Sequence, residues 1–399
     1  MRILFADQFS ELGGAQIALR ELLDEVVQRG WQAEVIAPGT GPLHAACRDR
    51  GIHSRSLPLA RYSNGHKTVR DILRYGSDSV LSALAIRSAA SNLRADLIYA
   101  NGPRVLPAAL WASQSQNIPL ILHLHNYLDR AYGRRIAQWC AGQKRVTVIT
   151  ISRFVAQSFV EMADLSRIHT VYNGVADQGF VPRPRAKPGC IGILGRILKQ
   201  KGQLDFVLAA KALARSRPGL RFVVLGASLF SDDSYEKEVR TAAQGETIEF
   251  RGWTNDVSAA LHEIDILAVP SGPAEGATRV IMEAFSAGTP VVAYPSGGIP
   301  ELVSDGETGL LTATRGPQAL AHSLGELLDN PALAERLSLQ GRREWEARFR
   351  LDRWQREICN FIGGLSVPSG VASGLSATTE VRSVRPAPVS ADDAGRAAP

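Results

Sequence analysis

The sequence predicts an α/β protein made of two doubly wound parallel-sheet domains that face each other across a cleft. Three observations predict it. Short apolar, β-branched runs alternate with longer amphipathic ones, the pattern of βαβ units around a parallel sheet. The alternation pauses once, at a Pro-rich stretch, and then restarts. The length, 399 residues, suits two domains at about 100–200 residues each.

Strand candidates in the first half are Arg2–Ala6, Ala33–Ala37, His53–Leu57, Asp96–Ala100, Pro119–His123, Val146–Ile149 and His169–Tyr172. Helical stretches lie between them, at Ala15–Gln28, Val69–Leu93 and Val105–Ser113. In Ala15–Gln28, Ile17, Leu19, Leu22, Leu23, Val26 and Val27 recur at helical steps. Gly179–Gly189 holds three prolines and no periodicity, which marks an exposed linker after a first domain of residues 1–178. A second domain, 190–345, restarts with strands at Cys190–Gly195, Arg221–Gly226, Thr247–Gly252, Asp265–Ser271, Pro290–Tyr294 and Gly309–Thr312. Two helices close the fold, near Pro331–Arg348 and Leu351–Ile362. The tail, 365–399, is rich in Ser, Pro, Ala and Gly and reads as disordered.

The chain is 45% hydrophobic and 21% charged, and no apolar run reaches the roughly 18 residues of a membrane-spanning helix. The N-terminal apolar run is too short for a signal peptide and reads as a buried strand. Four scattered cysteines, with no C-x-x-C pair, fit free thiols in a reducing cytoplasm. The net charge of +6 favours anionic partners, yet the basic residues are spread out and no nucleic-acid motif is present. Arg61–Arg94 is long, basic and partly apolar. It fits a solvated helix pair or a surface touching membrane lipid.

In doubly wound folds ligands bind outside the carboxyl ends of the strands, so the loops after strands carry the functional signals. The strongest is Glu275-Gly276-Ala277-Thr278-Arg279-Val280-Ile281-Met282-Glu283. One glutamate stands in the loop and the second lies a little over two turns away in a helix beginning near Thr278. The amides at that helix start suit a diphosphate, and a carboxylate accepts from two neighbouring hydroxyls, as on a ribose. Read alone, the pair also fits an ordinary acidic helix start plus a solvated glutamate. A second signal follows Cys190–Gly195: Arg196 and Lys201 flank a strand end and a helix start, placed to embrace one anion or, read alone, to be two solvated cations. Lys199 is the solvated neighbour. A third is Gly13-Gly14, where backbone can approach a ligand closely. It is a weak signal, because the dinucleotide fingerprint and its ribose-binding acid are missing. The fourth is His123 and His125 on one side of a strand. Further ligands at metal spacing are lacking, so no metal is expected there. His125, nearer the strand's carboxyl end, is the candidate for contacting a sugar or acceptor, and His123 the buried one.

Glu275–Glu283 resembles the E-x7-E signature of the retaining glycosyltransferases of family 4, the glycosyltransferase group 1 proteins. The context agrees: Gly195-Arg196 with Lys201-Gly202, Tyr172-Asn173-Gly174-Val175, Ala287–Ala293, Gly297–Val303 and Asp305–Gly309. The match is diffuse over residues 1–175 and specific over about 172–312. The resemblance implies a GT-B fold, two Rossmann-like domains, with the last helix, about 346–362, crossing back to the first domain. It implies that Arg196 and Lys201 hold the donor diphosphate, Glu283 the ribose, and Glu275 the transferred sugar. Backbone at Gly276, Ala277, Thr278, Arg279 and Val280 would contact phosphate and sugar, with Gly14 by the phosphate and His125 near the reacting sugar. Arg251–Trp253 matches the place where the base is met.

Two departures stand out. Ala277-Thr278 replaces the usual Phe-Gly, which leaves the donor sugar unnamed, and Asn126 follows His125 where an aspartate is common. The implied activity is transfer of a hexosyl-type sugar from a UDP- or GDP-sugar to a glycan or lipid-linked glycan, with retention and by a front-face route. No cofactor and no metal are expected, since no D-x-D triplet occurs. The expected setting is the cytoplasm, with peripheral contact at the inner membrane face. The alternatives are a GT-B hydrolase or epimerase acting on a sugar nucleotide, and a non-catalytic sugar-binding or scaffold protein.

Overall fold

Seven short runs of the first half become strands β1 (Arg2–Asp7), β2 (Gln32–Pro38), β3 (His53–Leu57), β4 (Leu97–Asn101), β5 (Leu120–Leu124), β6 (Val146–Thr150) and β7 (Ile168–Thr170). β1, β4, β5 and β6 are buried almost end to end, as a sheet covered on both faces requires. All pair in parallel, in the order β3-β2-β1-β4-β5-β6-β7. The second half repeats the plan with β8 (Cys190–Leu194), β9 (Arg221–Leu225), β10 (Ile248–Gly252), β11 (Ile266–Val269), β12 (Val291–Ala293) and β13 (Leu310–Leu311). Its order is β10-β9-β8-β11-β12-β13, again parallel. In each sheet the order reverses between the first and fourth strands, β1/β4 and β8/β11. Those two switch points are where such sheets open a crevice for ligand.

The structure is a computed structural model and describes residues 1–60, 69–182, 189–229, 233–245 and 248–365. The expected tail, the middle of the expected linker and the start of the basic Arg61–Arg94 stretch lie outside the described residues. The rest of that stretch belongs to a helix, Val69–Leu93. The four cysteines are free and buried. Among the described residues no helix is long and apolar enough to cross a membrane.

Both sheets lie within one compact unit, and the chain passes between them twice, at neighbouring places. At the first passage the Val175 N–H donates to the Phe349 carbonyl. At the second, the Leu351 N–H and the Trp345 indole N–H both donate to the Val175 carbonyl. The backbones are so close that a side chain on Gly174 would meet the Arg350 carbonyl at 2.6 Å. Here the expected single helix Pro331–Arg348 divides. Its α-helical part ends at Glu344, and a π-turn over Trp345–Phe349 re-aims the chain for the return. The final helix, Leu351–Leu365, then buries Trp354, Ile358, Cys359 and Ile362 against Ile3, Phe5, Leu22 and Tyr99 of the first sheet's layer.

Candidate active site

The β8/β11 switch point brings the loop carrying Arg196 and Lys201 against the loop carrying Glu275. Gly202 turns with φ +74°, and a Cβ there would sit 2.0 Å from the Pro270 carbonyl, so only glycine lets the loops touch. The Gln200 side chain and backbone then tie both ends of Gly272, at 3.0 and 2.7 Å. Beneath them, Gly297 and Gly298 pass so close that a Cβ on either would strike the carbonyls of Glu275 or Gly276. The loop Pro270–Thr278 is therefore held from two sides.

On this frame Lys201 Nζ lies 2.7 Å from Glu275 Oε2 and 3.4 Å from Thr278 Oγ1. Arg196 stands in the same loop as Lys201, its carbonyl accepting from Gln203 Nε2 at 2.8 Å; burial pushes its guanidinium's pKa down, opposed by the charge of Glu275. Thr278 stands at the N-cap position of the helix Arg279–Ala287 without a side-chain cap bond, so that helix's first amides have no intrahelical acceptor. Glu283, one turn inside, is part-buried, its side chain 14% exposed, and desolvation raises its carboxyl pKa against the opposing charges of Arg279 and Lys201. Two cations, two carboxylates and a helix start thus share one place. The geometry can hold an anion and hydroxyls side by side.

The facing wall comes from the β1/β4/β5 end of the first sheet. Asp7, at the end of β1, accepts from Phe9 N–H and Gln16 Nε2 at 2.8 Å each, and from Asn101 Nδ2 at 2.5 Å. Burial raises the Asp7 pKa to about 6. The Asn101 Oδ1 in turn lies 2.8 Å from His125 Nε2. His123 and His125 do point to one side, with ring centroids 4.0 Å apart. Both are buried, at 2% and 8% exposure, and His123 Nδ1 is spent on the Tyr99 hydroxyl. Burial and the nearby Arg279 charge push the His125 imidazole down to about 3.

Contacts of Arg279, Ser152 and Glu301 join the walls. Arg279 donates to both oxygens of Glu21, at 2.8 and 2.9 Å, and lies 3.6 Å from Glu283. Ser152 Oγ donates to the Gly276 carbonyl. Glu301 accepts from the Arg153 and Phe154 amides and from the Tyr172 hydroxyl. Gly14 faces the Arg279 stem, where a Cβ would lie 3.9 Å away, and the His125 carbonyl abuts Gly276.

The structure thus brings together Arg196, Lys201, Glu275, Gly276, Thr278, Arg279 and Glu283, with Gly14 and His125 opposite. Ala277 and Val280 are buried in the core beside them. Lys199 is exposed. Trp253 is exposed and bonded to Asn255, while Arg251 pairs with Glu249 and Glu263. Sequence reasoning missed Asp7, Gln16, Glu21, Asn101 and Glu301. A polar residue ending a buried strand, as at Asp7 and Asn101, was the available signal. Glu21 gave none, and Glu301 stood in the Gly297–Val303 segment with nothing to show its partners, which lie more than a hundred residues away. Among the described residues no group of three His, Cys, Asp or Glu side chains could hold a metal ion.

Comparison with known proteins adds independent findings. The family model described as glycosyl transferases group 1 matches residues 177–344, and that of glycosyltransferase family 4 matches 12–178. A glycogen synthase of Mycobacterium tuberculosis is 27% identical over 275 residues, covering 64% of this chain and 66% of that protein. A GDP-mannose-dependent phosphatidylinositol monomannoside mannosyltransferase of the same organism is 28% identical over 254 residues, covering 59% and 65%. The chain thus spans just under two-thirds of these relatives' lengths. Among solved structures, Anabaena HepE in complex with UDP-glucose superposes with a TM-score of 0.77 at 24% identity, covering 91% of this chain and 100% of that one. The two parallel-sheet halves of this chain form the GT-B fold.

Proposed function

Because the chain belongs to the group 1 glycosyl transferases, we propose that it moves a hexosyl-type sugar from a UDP- or GDP-sugar to a glycan or lipid-linked glycan, with retention at the anomeric carbon. The observation that carries this reading is the cluster at the β8/β11 switch point: Lys201 on Glu275 at 2.7 Å, with Arg196 beside them and Glu283 one turn into the adjoining helix. Donor entry exchanges the Lys201–Glu275 pair for two new ones. Lys201 and Arg196 take the diphosphate together with the amides at Gly276–Val280, and Glu275 takes hydroxyls of the sugar. Glu283 takes the ribose, and Gly14 gives the phosphate room.

In the transfer, the bond from the anomeric carbon to the β-phosphate oxygen breaks and a bond to the acceptor oxygen forms on the same face. The acceptor's proton passes to the departing phosphate oxygen. The cations matter most as that oxygen gains charge, which stabilises the transition state more than the ground state. Their positive charge supports a reaction that needs no metal. His125 holds its proton so weakly, at about 3, that it serves by hydrogen bonding and not as the proton's acceptor.

A UDP-glucose complex of HepE and a GDP-mannose-dependent relative support both donor classes. The phospholipid acceptor of that relative supports a lipid-linked one, met by a cytoplasmic enzyme at the inner membrane face. So does the exposed stripe Tyr132, Arg135 and Trp139, of which Tyr132 and Trp139 are 76% and 64% exposed. Nucleic acid has no part in the reading. The test is a thermal-shift screen over UDP- and GDP-hexoses, followed by product analysis with and without glycan acceptors. Stabilisation by one donor and sugar transfer only with acceptor supports transfer. Free sugar or an epimer formed without acceptor supports hydrolysis or epimerisation instead.

A further inference from the structure

We propose that Asn101, oriented by Asp7, locks His125 in the tautomer that carries its proton on Nε2, so that His125 meets the transferred sugar as a hydrogen-bond acceptor through Nδ1. The sugar contact rests on the function proposed above; the lock itself does not.

The polarity of every bond follows from groups whose roles are fixed. Phe9 N–H can only donate, so Asp7 Oδ1 accepts. Gln16 Oε1 accepts from Gly13 N–H, so its Nε2 is the atom donating to Asp7. One terminal atom of Asn101 faces both Asp7 Oδ2, at 2.5 Å, and the Ala15 carbonyl, at 3.3 Å. A carbonyl has no proton to give, so that atom is the amide nitrogen, and its two hydrogens serve the two acceptors. Asn101 Oδ1 is then an acceptor, and His125 Nε2, 2.8 Å away, must be the donor. A neutral imidazole with its proton on Nε2 has a bare lone pair at Nδ1. Among the described residues the His125 ring makes no hydrogen bond other than the one through Nε2.

The place suits the task. The His125 carbonyl abuts Gly276, next to the loop glutamate, and Arg279 is close enough to bias the ring against a second proton. A ring that carried the opposite tautomer would present N–H to the cleft and turn away a donating hydroxyl. Asn101 and Asp7 are therefore positioning residues. They act on the sugar only through His125, and their polar bonds are buried, where an unmatched partner is most costly.

The test is nitrogen NMR of protein labelled with 15N at its 8 histidines, with the His125 signals assigned by His125→Gln. At pH 7.5 the wild type is expected to give a bare, acceptor-type Nδ1 and a protonated Nε2. Asn101→Leu and Asp7→Asn are expected to move both nitrogens toward an averaged, mixed-tautomer shift. With the donor that the thermal screen selects, Asn101→Leu is expected to lower kcat about tenfold while KM for donor changes less than about twofold. A protonated Nδ1 in the wild type overturns the proposal and leaves the glycosyltransferase reading intact, and it needs no variant to fold. An unchanged kcat in Asn101→Leu, with the tautomer released, overturns the sugar contact. The expected tautomer in a protein that binds no nucleotide sugar overturns that contact along with the proposed function.

Discussion

Removing Arg279 should cost far more stability than removing its partner Glu21, and the asymmetry can be worked from the site. The guanidinium is 13% exposed and donates to both oxygens of Glu21, itself 11% exposed, at 2.8 and 2.9 Å. It also lies 3.6 Å from Glu283 and 3.3 Å from the Gly174 carbonyl. Glu21→Gln leaves the guanidinium with Glu283, Gly174 and one amide oxygen, a loss of about 1–2 kcal/mol for a weakened charged hydrogen bond. Arg279→Met strands two buried carboxylates at once, and breaking such a pair from the charged side costs about 3–5 kcal/mol. Burial already raises the Glu283 carboxyl's pKa, so its share of the penalty exists only while it is ionised and must shrink as pH falls and it takes up a proton. Urea unfolding of both variants at pH 7.5 and 5.5 is the assay. A loss under about 1 kcal/mol for Arg279→Met, or a larger loss for Glu21→Gln, would refute the reasoning.

Other consequences are as direct. Lys201→Ala is expected to lower kcat/KM by about a hundredfold or more with the selected donor, the scale for losing one preorganised charge partner of a leaving group; steady-state kinetics with circular dichroism as the folding control checks it. Glu283→Gln should weaken nucleotide binding, and in the wild type that binding should fade on acidification, because burial already raises the pKa of the carboxylate that must be ionised to accept the ribose hydroxyls. Asp7 moves from 3.8 to about 6 on folding, so the folded state binds its proton more readily than the unfolded chain. Its stabilising share is full below 3.8 and is lost as pH rises through 6, roughly 3 kcal/mol for about two units; Asp7→Asn should flatten that part of the stability–pH curve. Gly202→Ala forces a Cβ onto the Pro270 carbonyl at φ +74° and should cost about 1–3 kcal/mol or more, with donor affinity falling as the loop moves.

Most of the fold was legible in the sequence because a covered parallel sheet writes itself as apolar runs such as Leu97–Asn101 and Val146–Thr150. The donor-side cluster was legible for a related reason. Arg196, Lys201, Glu275 and Glu283 all follow strand ends of one sheet, so strand order alone brings them together. The facing wall was not. Glu21 looks like any acid on an amphipathic helix until Arg279, 258 residues later, is folded against it. Glu301 stood in a recognisable Gly297–Val303 segment, but its grip on the Arg153 and Phe154 amides depends on how the two halves close. The two histidines were placed on one side from strand alternation. The nitrogen that each one spends was settled only by Tyr99 and Asn101 from the neighbouring strand. The π-turn at Trp345–Phe349 was hidden because its residues keep a helical pattern, and the return of the chain beside Val175 sets its geometry.

Calorimetric titration with nucleoside, nucleoside monophosphate and nucleoside diphosphate examines the shared anion site most directly. The diphosphate is predicted to bind well ahead of the other two, and Arg196→Ala and Lys201→Ala are each predicted to erase most of that advantage. Equal affinity for all three ligands, or a diphosphate preference untouched by both substitutions, would mean that these cations do not converge on a single pyrophosphate.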